Sequence, residues 1–141
     1  SDMIKSVQTS IGGDPSADEP AAPYDVVTYM NDIMNASVTG TGPAYSVIIT
    51  NTIGAFVNLK LTVSGAEWTA LNFLTAGYSI AAGTEEFFNG ASVYDPVSFC
   101  GIANATNSPC YDPSITSWRI QLNEPIPLGA TVEQYYQGRI E

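Results

Sequence analysis

Along most of the chain, hydrophobic and polar residues alternate in short runs, and the runs are separated by Gly, Pro, Asn and Asp. In "FVNLKLTV", Val57, Leu59, Leu61 and Val63 fall on one face of an extended strand, with Asn58, Lys60 and Thr62 on the other. "WRIQL" repeats the pattern, with Trp118, Ile120 and Leu122 inward and Arg119 and Gln121 outward, and Tyr45, Val47 and Ile49 alternate in the same way. "YDVVTYM" is β-branched and aromatic and reads as a strand, although Val26, Tyr29, Met30, Ile33 and Met34 also keep helical spacing. Trp68, after "SGAE", is placed as a plug for one end of the core. "AGYSIAAGTEEFF" and the terminal "ATVEQYYQGRIE" supply further strands. The pattern predicts seven to nine short strands, no interior helix, and an all-β antiparallel sandwich.

The N-terminal stretch breaks this pattern. "GGDPSADEPAAP", residues 12–23, carries prolines, glycines and acids with no large apolar side chain, the composition of a solvated linker. The chain therefore divides into a tail and linker, residues 1–23, and a sandwich domain, residues 24–141. Within the tail, Met3, Ile4, Val7 and Ile11 share a helical face, whereas Met3, Lys5, Val7, Thr9 and Ile11 share a strand face. The spacing does not choose between them. Either way, apolar residues on a detached tether await a partner, and Met3, Ile4, Val7 and Ile11 are the candidate assembly residues.

Charge narrows the partners. Fourteen acidic residues face only Lys5, Lys60, Arg119 and Arg139, for a net charge of −10. Nucleic acid is excluded as a partner, because its affinity comes largely from basic side chains that neutralise phosphates. An anionic membrane surface is disfavoured by the same sign, and no apolar run reaches the length of a bilayer-spanning helix.

The chain has no histidine, which removes the usual base near neutral pH. Glu85 and Glu86 are adjacent, so a strand points them to opposite faces and they cannot act as a hydrolytic pair. No S-x-x-K run activates a serine. The inventory argues against an enzyme.

Cys100 and Cys110 bracket "GIANATNSP", a loop composition that can fold back to bring the sulfurs together. The spacing suits no zinc or thioredoxin motif, so a disulfide is expected, and with it an oxidising compartment. Asn35 in "NAS" and Asn104 in "NAT" are candidate glycosylation sites. Asp95 and Asp112 each precede proline and flank the Cys loop. They read as turn formers, or as two carboxylates of a structural calcium site, since that cation takes carboxylate and carbonyl oxygens. No other cofactor is implied. Tyr94, Tyr111, Tyr135 and Tyr136 are candidates for a sugar-stacking platform, to which adjacent Tyr135 and Tyr136 contribute at most one ring.

The stretches "YSVIITNTIGAFVNLKLTVSGAEWT", "AGYSIAAGTEEFF" and "IPLGATVEQYYQGRIE" resemble the accessory immunoglobulin-like domains of bacterial and archaeal secreted and surface proteins. The resemblance covers Tyr45 to Glu141 and is one of pattern, with the Cys loop as an insertion. It implies an immunoglobulin-like sandwich. The expected role is a non-enzymatic structural subunit of an extracellular filament or cell-envelope assembly, in contact with copies of itself or other envelope proteins through the N-terminal segment. The alternative is a carbohydrate- or ligand-binding accessory module of a secreted enzyme, which a planar aromatic patch would mark.

Overall fold

A computed structural model describes the backbone of residues 3–11 and the whole of residues 24–36 and 42–141. The stretch expected as a linker, residues 12–23, lies outside them. In chain order the strands are β1 (Met3–Ile11), β2 (Val26–Asn35), β3 (Ile48–Thr52), β4 (Val57–Ser64), β5 (Glu67–Thr69) and β6 (Asn72–Phe73). They continue with β7 (Glu86–Asn89), β8 (Ser92–Tyr94), β9 (Cys110–Asp112), β10 (Ser117–Gln121) and β11 (Thr131–Ile140). One four-residue helical turn, α1 (Val97–Cys100), opens the Cys loop.

The strands form two antiparallel sheets facing each other across one core, a β-sandwich. The larger runs β1-β2-β11-β4-β5, with β6 also on β11 and β9 also on β4, and the smaller runs β3-β10-β7-β8. Alternation dictates which residues fill the space between them. Leu59 and Leu61 of β4, Trp118 and Ile120 of β10 and Val132 of β11 are all fully buried, and Ile49 of β3 is 4% exposed. Trp68 joins them as expected, at 6%. Tyr45, expected inward, is 71% exposed: it precedes β3, beside Ser46 at a φ of 51°, so the strand's alternation has not yet begun there.

The N-terminal segment, expected as a detached tail, is extended and paired. β1 lies antiparallel along β2 over its full length, from Met3 opposite Asn35 to Ile11 opposite Val27. An uncovered β2 would present a row of unpaired backbone groups at the sheet edge, and β1 supplies their partners. The helical alternative for Met3 to Ile11 is therefore set aside.

Glycine matters most where β11 crosses β4. A Cβ on Gly138 would overlap Val57 Cγ1 and sit 3.2 Å from the Asn58 carbonyl oxygen. Gly138→Ala is expected to cost roughly 1–3 kcal/mol, the range for overpacking, read as a shift in the urea midpoint at unchanged slope.

Candidate functional site

One groove among the described residues lies at the end of the sandwich that carries the Cys loop. There β5, the segment before β7, and β8 with α1 enclose a groove of about 620 Å³ that includes Glu67, Trp68, Glu85, Tyr94, Asp95 and Val97 in its lining. The Cys100–Cys110 disulfide closes the loop, with 5.9 Å between the Cα atoms. Trp68 pins the loop to the body of the domain by donating its indole N–H to the Gly101 carbonyl at 2.9 Å.

Four carboxylates in and beside this region have partners of their own. Glu85 accepts the Thr69 hydroxyl at 3.1 Å and the Ala70 N–H at 3.2 Å, which ties the segment before β7 to the end of β5. Burial pushes the Glu85 carboxyl above its ordinary pKa; those two hydrogen bonds oppose the shift and Glu67 adds to it. Glu86 pairs instead with Arg119 at 2.6 Å on the outer face of the smaller sheet. The two adjacent glutamates thus serve different neighbours, and no acid pair of the hydrolytic kind arises from them.

Asp112 is fully buried on β9, where it accepts the Tyr94 hydroxyl at 3.0 Å and the Ser114 N–H at 2.9 Å. Burial raises its pKa, with the Ser114 and Tyr94 hydrogen bonds pulling the other way. Asp95 is exposed and accepts the Val97 N–H at 3.0 Å, the Asx turn that starts α1. As calcium ligands the two fit poorly. One is an interior carboxyl already committed to a tyrosine and a backbone N–H, and among the described residues no group of three or more Asp, Glu, Cys or His stands ready to hold a metal ion.

The sign of these shifts gives a pH dependence. A carboxyl whose folded-state pKa is raised binds its proton more tightly when folded, so its favourable contribution is complete below the unfolded value and is lost as pH rises through the folded one. Asp112 and Glu85 both have this sign. Exposed Glu124, held below its ordinary range by the Ser79 hydroxyl, has the opposite sign. The thermal midpoint is expected to rise as the buffer goes from about pH 7 to about pH 5, above the unfolded carboxylate range. Asp112→Asn, which keeps an acceptor for Tyr94 without the charge, should flatten that rise. A midpoint that falls over the same interval in the wild type would show that Asp112 and Glu85 do not govern it.

The two sequon asparagines part company. Asn35 is fully buried, and its Nδ2, the atom a glycan would occupy, donates to the Ile126 carbonyl at 2.9 Å and the Gly42 carbonyl at 3.4 Å. The folded chain has no room for a sugar there. Asn104 is exposed in the Cys loop, where its Oδ1 accepts the Thr106 N–H at 2.9 Å and the Thr106 hydroxyl at 2.5 Å.

The tyrosine candidates do not converge on a platform. Tyr94 is turned to Asp112, the Arg139 guanidinium covers the Tyr111 ring at 4.3 Å, and Tyr136 is in the core against Trp118 and Tyr29. Burial, with a smaller contribution from Tyr29, pushes the Tyr136 hydroxyl up to about 12.

Of the four assembly candidates, the structure fixes the backbone register: Met3 faces Asn35, Ile4 faces Met34, Val7 faces Asn31 and Ile11 faces Val27. The nine-residue β1–β2 ladder is the other candidate site. Comparison with protein-family models, curated proteins and solved structures finds no match, so function is argued from the chain's own residues.

Proposed function

We propose that this chain is a non-enzymatic structural subunit of an extracellular filament or cell-envelope assembly, and that copies join by lending β1 to the β2 edge of a neighbour. One observation carries the reading: a complete antiparallel ladder between β1 and β2 whose two strands are separated in sequence by all of residues 12–25. Hairpins that close within one chain commonly use about two to five residues. A connection this long, rich in proline, glycine and acids, lets the same ladder form within one chain or between two, with every backbone hydrogen bond conserved. Exchange of an identical strand is a low-cost route to assembly because no new interface has to be invented.

The surroundings agree with this. A disulfide fits an extracellular or secreted chain, and no helix among the described residues is long and apolar enough to cross a membrane. Asn104 is exposed in the Cys loop and takes no part in the β1–β2 ladder, so a glycan there would leave that ladder's backbone pairing unchanged. The immunoglobulin-like kinship and the surface location rest on the sequence resemblance and on this chemistry. With a net charge of −10, partners are copies of the chain or other envelope proteins, not nucleic acid.

Deletion of residues 1–11 tests the proposal. The truncated chain is expected to keep its β-sheet circular dichroism and to lose self-association in light scattering. A synthetic peptide of residues 1–11 should bind it in trans and raise its thermal midpoint. Assembly of the truncated chain as efficient as that of the full chain would reject the role given to β1.

A further inference from the structure

The two sheets enclose a band of polar side chains that neither the groove nor the β1–β2 ladder uses. Asn31 on β2 stands opposite Gln134 on β11 in the larger sheet, and Asn51 on β3 stands opposite Trp118 on β10 in the smaller. Asn31 Nδ2 donates to Asn51 Oδ1 at 2.9 Å, so the band crosses from one sheet to the other. Trp118 in turn meets the ring of Tyr136, two residues after Gln134 on the same face, edge on at 5.6 Å. Asn31, Gln134 and Trp118 are all completely buried.

Their polar atoms are only partly matched. Asn31 Oδ1, Gln134 Oε1, Gln134 Nε2 and Trp118 Nε1 lie out of solvent and have no hydrogen-bond partner among the described residues. In an apolar interior each such group keeps the full cost of leaving bulk water, and native cores pair nearly all of them. Four in one band call for a shared partner. The two oxygens require donors and the two nitrogens require acceptors, so that partner must donate and accept at once. It must also be small, because Asn31, Gln134 and Trp118 are all completely buried between the sheets.

We infer that this band is an internal water site, in which bound water donates to Asn31 Oδ1 and Gln134 Oε1 and accepts from Gln134 Nε2 and Trp118 Nε1. Water alone among abundant small ligands has this pattern at this size, and buried waters typically make about three hydrogen bonds to protein groups. The site ties β2 and β11 to β10 through solvent, beside the direct Asn31–Asn51 bond. It stands whether or not β1 is exchanged between copies.

The two tryptophans supply the experiment. In the full ¹⁵N-labelled chain, the Trp118 indole N–H is expected to show a rotating-frame Overhauser cross-peak to water, opposite in sign to chemical exchange and characteristic of a long-lived bound molecule. The Trp68 indole, bonded directly to the Gly101 carbonyl, should show none and serves as the internal reference. Gln134→Met, of similar volume and without the amide, should weaken or remove the Trp118 cross-peak. Absence of that cross-peak in the wild type would overturn the site, and this measurement decides even if the variant fails to fold. A cross-peak undiminished in folded Gln134→Met would overturn the part given to Gln134.

Discussion

Trp118→Ala is expected to remove about 4 kcal/mol of folding stability, the largest loss of any single substitution considered for this chain. Trp118 is the largest fully buried side chain among the described residues and lies on β10, opposite Asn51 of β3 on one side and Phe87 of β7 on the other. Its ring meets Tyr136 edge on, and Tyr136 stacks on Tyr29 with 5.1 Å between centroids, so one aromatic column joins the smaller sheet to both β11 and β2. Truncation leaves a cavity that strands held in two ladders cannot collapse to fill. Against a total stability of about 5–15 kcal/mol for a domain, such a loss brings the chain near its threshold. The chemical-denaturation midpoint should fall with little change in slope, and the near-ultraviolet dichroism of the aromatic column should weaken. Trp118→Phe separates packing from polarity, since it keeps a ring against Tyr136 and discards the indole N–H. It should cost well under half as much. A loss below about 1.5 kcal/mol for the alanine variant would mean that the sheets close over the gap.

How much of this could be read from the sequence depends on how local the cause was. Leu59, Leu61, Ile120 and Trp118 were legible because a strand has period two and Asn58, Lys60 and Arg119 mark the wet side. The disulfide was legible because its loop composition and the lack of other thiols left little else. Asn31, Asn35 and Gln134 are not expected in the core, since polar residues in a strand are usually outward. Their signal was phase: Val132, Gln134, Tyr136 and Gly138 share one face of β11, and following that face through the glutamine would have placed it in the core. The buried sequon at Asn35 fails for the same reason, as it keeps step with Val27 and Ile33. Topology was out of reach. That β2, near the start, pairs with β11, at the end, is decided by which long-range ladder buries most, and no local window contains it. The placement of β1 is of this kind too: its residues suited a helix or a strand equally, and the open edge of β2 made the choice.

Removing the Cys100–Cys110 bond, by Cys100→Ser with Cys110→Ser, is expected to lower stability by about 3 kcal/mol, the chain-entropy value for so short a loop. The bond joins residues ten apart and fastens α1 to β9 at the end of the sandwich where the groove lies. The effect should not be confined to the loop. Both cysteines are partly buried against the hydrophobic core, Asp112 follows Cys110 by two residues, and the carbonyl that holds the Trp68 indole belongs to Gly101, next to Cys100. Without the bond, the Trp68–Gly101 and Tyr94–Asp112 hydrogen bonds still tie this end to the body of the domain, but both must then be made from a chain with more freedom to lose. The thermal midpoint of the double variant should fall by roughly 5–12 °C for a domain of this size. Dithiothreitol should bring the wild type to the same value and leave the variant unmoved. That agreement separates loss of the bond from damage done by the serines, and a wild-type midpoint indifferent to reductant, under conditions where mass spectrometry shows both thiols free, would reject the stabilising role. The same comparison bears on location. A chain that loses this much stability on reduction is best suited to a compartment where thiols stay oxidised.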